Sequence, residues 1–309
     1  MNIVIIGAGL MGQGIGLTFA RAGHQVTLVD RTDPLLESAL AAICESAATL
    51  VQHGSLAADA VAPLLKRIAL DTDLAHAVGK ADFVAEVVPE VATIKREVIC
   101  AIDAASPAGA VIMSNTSGLD IFALACDAMR HPERLVTAHW YAPAHIIPLV
   151  EVAPGPQTTA DVVARTADLL RQAGKFALAM RRFAPGYVVN KIQHSFASAM
   201  FDLLQSDLIE PEDIDRAVKA VLGIRMPVVG IVQSMDFNGL DTVQAICATL
   251  GIDVPILREK VEAGDLGAST GRGMYDYGER TPDRVIRERD IKFLQMIDFL
   301  KSIEAFEPV

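Results

Sequence analysis

Aromatic residues make up only 5 % of this 309-residue sequence, with one tryptophan, and there are four cysteines. Cys44, Cys100, Cys126 and Cys247 form no CxxC, and no pair has the spacing of metal ligands. This excludes a zinc module and a disulfide framework, and it predicts buried thiols in a reducing cytoplasm. Basic residues are in the minority, 27 Lys and Arg against 38 Asp and Glu, for a net charge of −11. No cluster of them makes the positive patch that nucleic acid requires, so no nucleic-acid partner is expected. No uncharged apolar run is long enough to cross a bilayer, so no membrane partner is expected either. The N-terminal Met1–Ile6 lacks a basic leader, and its apolar run breaks at Gly7, which does not fit a signal peptide.

Apolar residues are plentiful at 51 %, enough for a sizeable core. Up to about residue 180, short β-branched runs alternate with Ala-rich helical stretches. Strands are predicted at Ile3–Ile6, Gln25–Val29, Arg67–Leu70, Phe83–Val87, Val111–Met113, Leu135–Ala138, Leu149–Val152 and Phe176–Ala179. Strands alternating with helices imply α/β architecture with a doubly wound, largely parallel sheet. Between Asp30 and Arg67 lie two helical stretches, about Pro34–Gln52 and Ala57–Leu65, which predict a helical hairpin inserted after the second strand. Beyond Pro185-Gly186 the pattern becomes helical, with stretches at Tyr187–Asp207, Glu210–Leu222 and Asp283–Ile303. The reading is therefore a Rossmann-type domain over 1–183 and an all-α domain over 184–309.

Gly7-Ala8-Gly9-Leu10-Met11-Gly12 follows the first strand and opens a helix. In that context GxGxxG is a dinucleotide-binding loop. Gly7 permits the tight turn, Gly9 lets the backbone approach a pyrophosphate, and Gly12 lets the helix pack on the sheet. The free N–H groups of the first helical turn, around Leu10 and Met11, would face the anion. Asp30 ends the second strand about twenty residues on, where a carboxylate binds the ribose hydroxyls and repels a 2′-phosphate. The cofactor is thus expected to be NAD, although Arg31 beside it can accommodate that phosphate.

These residues resemble the L-3-hydroxyacyl-CoA dehydrogenase family over essentially the whole chain. The marks are Gly9–Gly12, Ser114-Asn115-Thr116-Ser117, His139 followed by Leu149-Val150-Glu151-Val152, Pro185-Gly186-Tyr187-Val188-Val189-Asn190 and Thr270-Gly271-Arg272-Gly273-Met274-Tyr275. Alcohol oxidation requires removal of the hydroxyl proton as hydride leaves carbon. Histidine suits this, and a carboxylate on its other nitrogen fixes the tautomer. A reversal near Pro143 to Pro148 would bring His139 and Glu151 together, as the family pairs them. A lone histidine capping a strand is the competing reading, and His145 is a nearby competitor for the role. The resemblance further implies Ser117 and Asn190 at the substrate, and Asn115, Glu90 and Lys95 along the cofactor. Ser117 and Asn190 also suit helix caps, and Lys95 also suits a solvated partner of Glu97 or Asp103.

Three departures bear on substrate. Ala142 stands where the family usually has Asn, a donor near the reacting oxygen. The inserted hairpin has no Lys or Arg between Arg31 and Lys66 but carries Asp33, Glu37, Glu45 and Asp59, which suits CoA phosphates poorly unless they stay in solvent. Arg225, within Gly223-Ile224-Arg225-Met226-Pro227, resembles the gulonate dehydrogenase and lambda-crystallin branch. It either forks onto a substrate carboxylate or pairs with Glu210 or Asp215. The expected protein is a cytoplasmic NAD-dependent dehydrogenase of a 3-hydroxy acid or a 3-hydroxyacyl-CoA, dimeric through its helical domain. The alternatives are a strictly thioester-specific dehydrogenase and a non-catalytic, crystallin-like NAD binder.

Overall fold

The computed structural model describes residues 1–206 and 208–307. It divides into two compact units, one reaching from Met1 to Ser195 and the other beginning at Phe196.

The first unit is built on eight strands: β1 (Asn2–Ile6), β2 (Gln25–Val29), β3 (Ile68–Asp71), β4 (Phe83–Glu86), β5 (Val111–Ser114), β6 (Leu135–Trp140), β7 (Leu149–Pro154) and β8 (Phe176–Ala179). They form one sheet in the order β3-β2-β1-β4-β5-β6-β7-β8. All neighbours are parallel except β6 and β7. Helices supply the parallel crossovers: α1 (Leu10–Arg21), α2 (Asp33–Gln52), α3 (Val61–Leu65), α4 (Leu74–Val78), α5 (Ala92–Ala105), α6 (Ile121–Ala125) and α7 (Ala160–Gln172). No helix separates β6 from β7, so the chain can only turn back on itself, and the pair is antiparallel.

Both faces of the sheet are covered, which explains the continuous apolar strands. Ile3 and Ile5 of β1 point into the same apolar cluster as Ile15 of α1 and Leu36, Ala39 and Ile43 of α2. Val4 and Ile6 point the other way, into a cluster with Ile99 and Ile102 of α5. This is strand alternation with a core on each side. The strand order reverses between β1 and β4, and a sheet of this kind opens a ligand crevice at the carboxyl ends of the strands there.

The second arm of the inserted hairpin is shorter than predicted. A 3₁₀ turn over Ala58–Ala60 precedes α3, which is a single turn ending at Leu65. Pro63 inside this stretch lacks the N–H needed to extend a regular helix from Ala57.

Helix α8 (Val189–Gln205) crosses from one unit to the other. The second unit holds α9 (Pro211–Asn238), α10 (Leu240–Thr249), α11 (Pro255–Glu262) and α12 (Pro282–Ser302). Helix α9 runs well past the predicted Leu222 and is interrupted at Gly230, whose φ is +70°. Buried Asp236 anchors the Thr270–Tyr275 segment, accepting from the amides of Met274 and Tyr275 at 2.7 and 2.9 Å and from the Tyr277 hydroxyl at 2.9 Å. A Cβ on Gly273 would lie 2.3 Å from Asp236 Oδ1, which explains that glycine.

Two helices, α2 and α9, are long and apolar enough to cross a bilayer. Neither is an uncharged run: Asp33, Glu37 and Glu45 interrupt one, and Asp213, Arg216 and Lys219 the other. Helix α2 spends its apolar stripe on the core. All four cysteines are free and half-buried rather than fully enclosed.

Candidate active site

The glycine loop bridges β1 and α1 beside a cavity of about 710 Å³. Gly7 adopts φ +111°, and a Cβ there would lie 2.9 Å from the Val87 carbonyl oxygen. A Cβ on Gly12 would lie 1.9 Å from the Gly7 carbonyl oxygen, so these two glycines are required by the protein's own packing. Gly9 differs. Its Cβ would meet no protein atom within 4 Å, and its φ of −71° suits any residue. The space beside Gly9 is therefore left open on the cavity side, as an approaching pyrophosphate needs.

Asp30 lines the same cavity. Its Oδ2 accepts from the Ala8 amide at 2.8 Å and its Oδ1 from the Arg31 amide at 2.7 Å. The carboxylate thereby ties the end of β2 to the loop. Leu35, Ser38, Thr72, Leu74, Val87, Val88, Pro89, Ile94 and Val98 complete a mainly apolar wall. Sequence reasoning missed these residues because they come from four segments that only the sheet brings together. The cavity's glycine turn, helix N-terminus and terminal carboxylate fit a dinucleotide.

His139 and Glu151 face each other across the antiparallel β6–β7 pair as direct partners in register. His139 lies within β6 rather than after it, because the strand runs two residues beyond the predicted Ala138. Nδ1 of His139 is 3.2 Å from Glu151 Oε2, and both side chains are buried. Glu151 collects three further donors: the Tyr141 hydroxyl at 2.6 Å on Oε2, and the Val188 and Val189 amides at 3.0 and 3.2 Å on Oε1. Burial pushes its carboxyl upward, but the hydrogen bonds from His139, Tyr141, Val188 and Val189 outweigh it and hold the group below the usual range. An ionised Glu151 can only accept, so Nδ1 carries the proton and Nε2 presents a lone pair. Nε2 makes no hydrogen bond among the described residues.

Tyr187 stacks on the imidazole, with centroids 4.4 Å apart and planes 6° from parallel. Its hydroxyl donates to the Thr116 carbonyl at 2.8 Å. Tyr187 adopts φ +49°, a left-handed conformation that costs a residue with a side chain about 1 kcal/mol. The stack and the hydrogen bond hold it there. Neither Tyr141 nor Tyr187 was singled out from sequence, although Tyr187 lies inside a motif that was. The competitor His145 pairs with no carboxylate among the described residues. Beside it, Lys175 donates to the Ala144 and Ile147 carbonyls at 2.6 and 2.9 Å and clamps the turn that follows His139; burial brings its ammonium down to about 8.

Glu90 shapes the turn after β5. Its Oε1 accepts from the Thr116 hydroxyl at 2.6 Å and from the Ser117 and Gly118 amides at 2.9 and 3.1 Å. Ser117 is exposed on that turn and caps no helix; Asp120 caps α6. Asn115 Oδ1 accepts from the Trp140 amide at 2.8 Å, tying β5 to the end of β6. Asn190 is the second residue of α8, past the cap position. Lys95 is neither solvated nor paired with Glu97 or Asp103. It is 1 % exposed, and its ammonium donates to Glu86 at 2.8 Å and lies 3.3 Å from Glu90. The competing reading of a solvated Lys95 fails because α5 turns the side chain inward to pair with Glu86 at the end of β4.

Ala142 is exposed just beyond β6. Arg225 sits in α9 of the second unit and forms no ion pair with Glu210 or Asp215.

Residues 2–183 match the 3-hydroxyacyl-CoA dehydrogenase NAD binding domain, and residues 186–277 match the 3-hydroxyacyl-CoA dehydrogenase C-terminal domain. The chain belongs to the 3-hydroxyacyl-CoA dehydrogenase family. It is an NAD-dependent oxidoreductase acting on CH–OH groups, with relatives named as hydroxyacyl-CoA dehydrogenases. A relative from Mesorhizobium japonicum, 5-formyl-3-hydroxy-2-methylpyridine 4-carboxylate 5-dehydrogenase, is 32 % identical over 98 % of this chain and 99 % of its own. The probable 3-hydroxybutyryl-CoA dehydrogenase of Bacillus subtilis is 32 % identical over 91 % of this chain and 98 % of its own. The crystal structure of the 3-hydroxyacyl-CoA dehydrogenase of Archaeoglobus fulgidus shares 28 % identity with a TM-score of 0.80, over 97 % of this chain and 99 % of that one.

Proposed function

We propose that this dehydrogenase interconverts an L-3-hydroxy group and a ketone, with His139 as the base and Glu151 as the residue that orients it. The observation that carries this is the 3.2 Å contact between His139 Nδ1 and Glu151 Oε2 in a buried, register-fixed pair. With Nδ1–H committed to the carboxylate, Nε2 takes the hydroxyl proton while hydride leaves the same carbon. NAD supplies the hydride acceptor. Glu151 then faces an imidazolium and stabilises it. Gly7, Gly9, Leu10, Met11 and Gly12 hold the pyrophosphate, and Asp30 the ribose, with Arg31 at its edge. Ser117 and Asn190 position the substrate hydroxyl and carbonyl side. Asn115 spends its oxygen on the Trp140 amide, which leaves its NH₂ as the donor for the cofactor. Glu90 acts by holding the Ser117 turn, and Lys95 acts through Glu90 and Glu86 rather than by touching the cofactor itself.

The substrate we propose is a free hydroxy acid. Ala142 removes the usual amide, and the hairpin offers CoA phosphates no cation between Arg31 and Lys66. Among the described residues Arg225 makes no ion pair with a carboxylate, which leaves its guanidinium for a substrate carboxylate. The Mesorhizobium relative, by its name, acts on a free carboxylate. NADH formation measured with 3-hydroxybutyrate, gulonate, carnitine and 3-hydroxybutyryl-CoA side by side tests this. Turnover of the free acids is expected, and turnover of the thioester alone overturns it.

A homodimer in the cytoplasm completes the proposal. The helical unit leaves Phe201, Leu204, Val221, Leu250, Leu294 and Phe299 exposed, more apolar surface than a lone domain usually shows. Light scattering at micromolar concentration is expected to give twice the chain mass; a monomer contradicts it.

A further inference from the structure

Glu151 has two oxygens and about four acceptor directions, and all are used. Oε1 takes the Val188 and Val189 amides, and Oε2 takes His139 and Tyr141. The Tyr141 bond is the shorter of the two on Oε2, 2.6 Å against 3.2 Å. The tyrosine thus competes with the imidazole for the same lone-pair region. Burial and the neighbouring carboxylate push the Tyr141 hydroxyl far up, so it stays a donor throughout. Its ring packs edge-on against His139 at 4.7 Å, which sets its position independently of the hydrogen bond.

We infer that Tyr141 is a positioning residue for the His139–Glu151 pair: its hydroxyl satisfies Oε2, so that Glu151 aligns the imidazole without binding the imidazolium too tightly. This rests on His139 being the base proposed above. A base that must also give its proton back works best when the partner carboxylate is not too strong an acceptor. A carboxylate already holding three other donors is a weaker acceptor from the fourth. Other titratable groups around the pair are Tyr187, stacked on the imidazole, and Glu86, Glu90 and Lys95, which pair with one another behind it. None contacts Tyr141 by a side-chain hydrogen bond; besides Glu151 its hydroxyl meets the Asn190 backbone N–H, which Tyr141→Phe also releases, so the Glu151→Gln background is needed to isolate the effect through Glu151.

The test is Tyr141→Phe, read by NMR titration of the His139 imidazole in the full chain, with the resonance assigned by its loss in His139→Ala. The midpoint is expected to rise by about half a pH unit, roughly threefold in proton affinity. The acid limb of the pH profile of kcat/KM should move with it. In a Glu151→Gln background the same change should produce no shift, which separates tuning through Glu151 from a packing effect. Tyr141→Leu, which removes the same hydroxyl, is expected to shift the midpoint in the same direction should the phenylalanine variant misfold. An unmoved or lowered midpoint overturns the inference. Failure of the base assignment has a different signature, undiminished NADH formation by His139→Ala.

Discussion

Gly12→Ala is expected to weaken NAD binding by about 100-fold, near 3 kcal/mol, and to lower the melting temperature as well. The added Cβ would lie 1.9 Å from the Gly7 carbonyl oxygen and 3.3 Å from a Val87 methyl. Backbone cannot yield that distance without moving either the start of α1 or the turn after β1. Overpacking of this kind costs about 1–3 kcal/mol of stability. It also displaces the helix N-terminus that would receive the pyrophosphate. Gly9→Ala separates the two effects. Its Cβ meets nothing in the protein, so stability should hold while NAD affinity falls, because the methyl enters space kept for the ligand. Gly109→Ala, also in open space but far from the loop in sequence, serves as a control for both readings. Calorimetric titration with NAD and a thermal melt decide the matter, and full NAD affinity in Gly12→Ala and Gly9→Ala would contradict the assignment of the loop.

The fold was largely legible in the sequence, for a physical reason. A parallel sheet covered on both faces writes its strands as short apolar runs and its crossovers as helical stretches, and all eight strands were found this way. Errors fell where local signals stop at the wrong place. Helix α9 continues past the predicted Leu222 and through Pro227, and is interrupted only at Gly230. His139 lies inside β6 because the partner strand β7 extends the ladder past Ala138.

The candidate site was legible only in part. Glycine spacing and the terminal Asp30 announce a nucleotide loop by themselves. Lys95 is named by the resemblance, but its burial is not legible, because nothing local says that α5 will press it against Glu86, nine residues earlier in sequence and on a different element. Tyr141 was invisible for the same reason. A tyrosine two residues after His139 projects to the same side of the chain in extended backbone, and period-two spacing was the available clue. Its partner Glu151, however, becomes evident only once the β6–β7 register is known.

His139→Ala tests the central claim most directly. General-base catalysis contributes typically 10²–10⁴-fold, so initial NADH formation with the best hydroxy acid is expected to fall about a thousandfold, ~4 kcal/mol of barrier. NAD affinity should be unchanged, since His139 does not line the dinucleotide cavity. The fold should survive, because Glu151 keeps the Tyr141 hydroxyl and two backbone amides as partners. The measurement is the initial rate of NADH formation by the wild-type protein and by His139→Ala at saturating NAD, with NAD binding by both confirmed by titration. A thousandfold loss of rate with intact binding is the predicted result; a variant within tenfold of the wild-type rate contradicts the account.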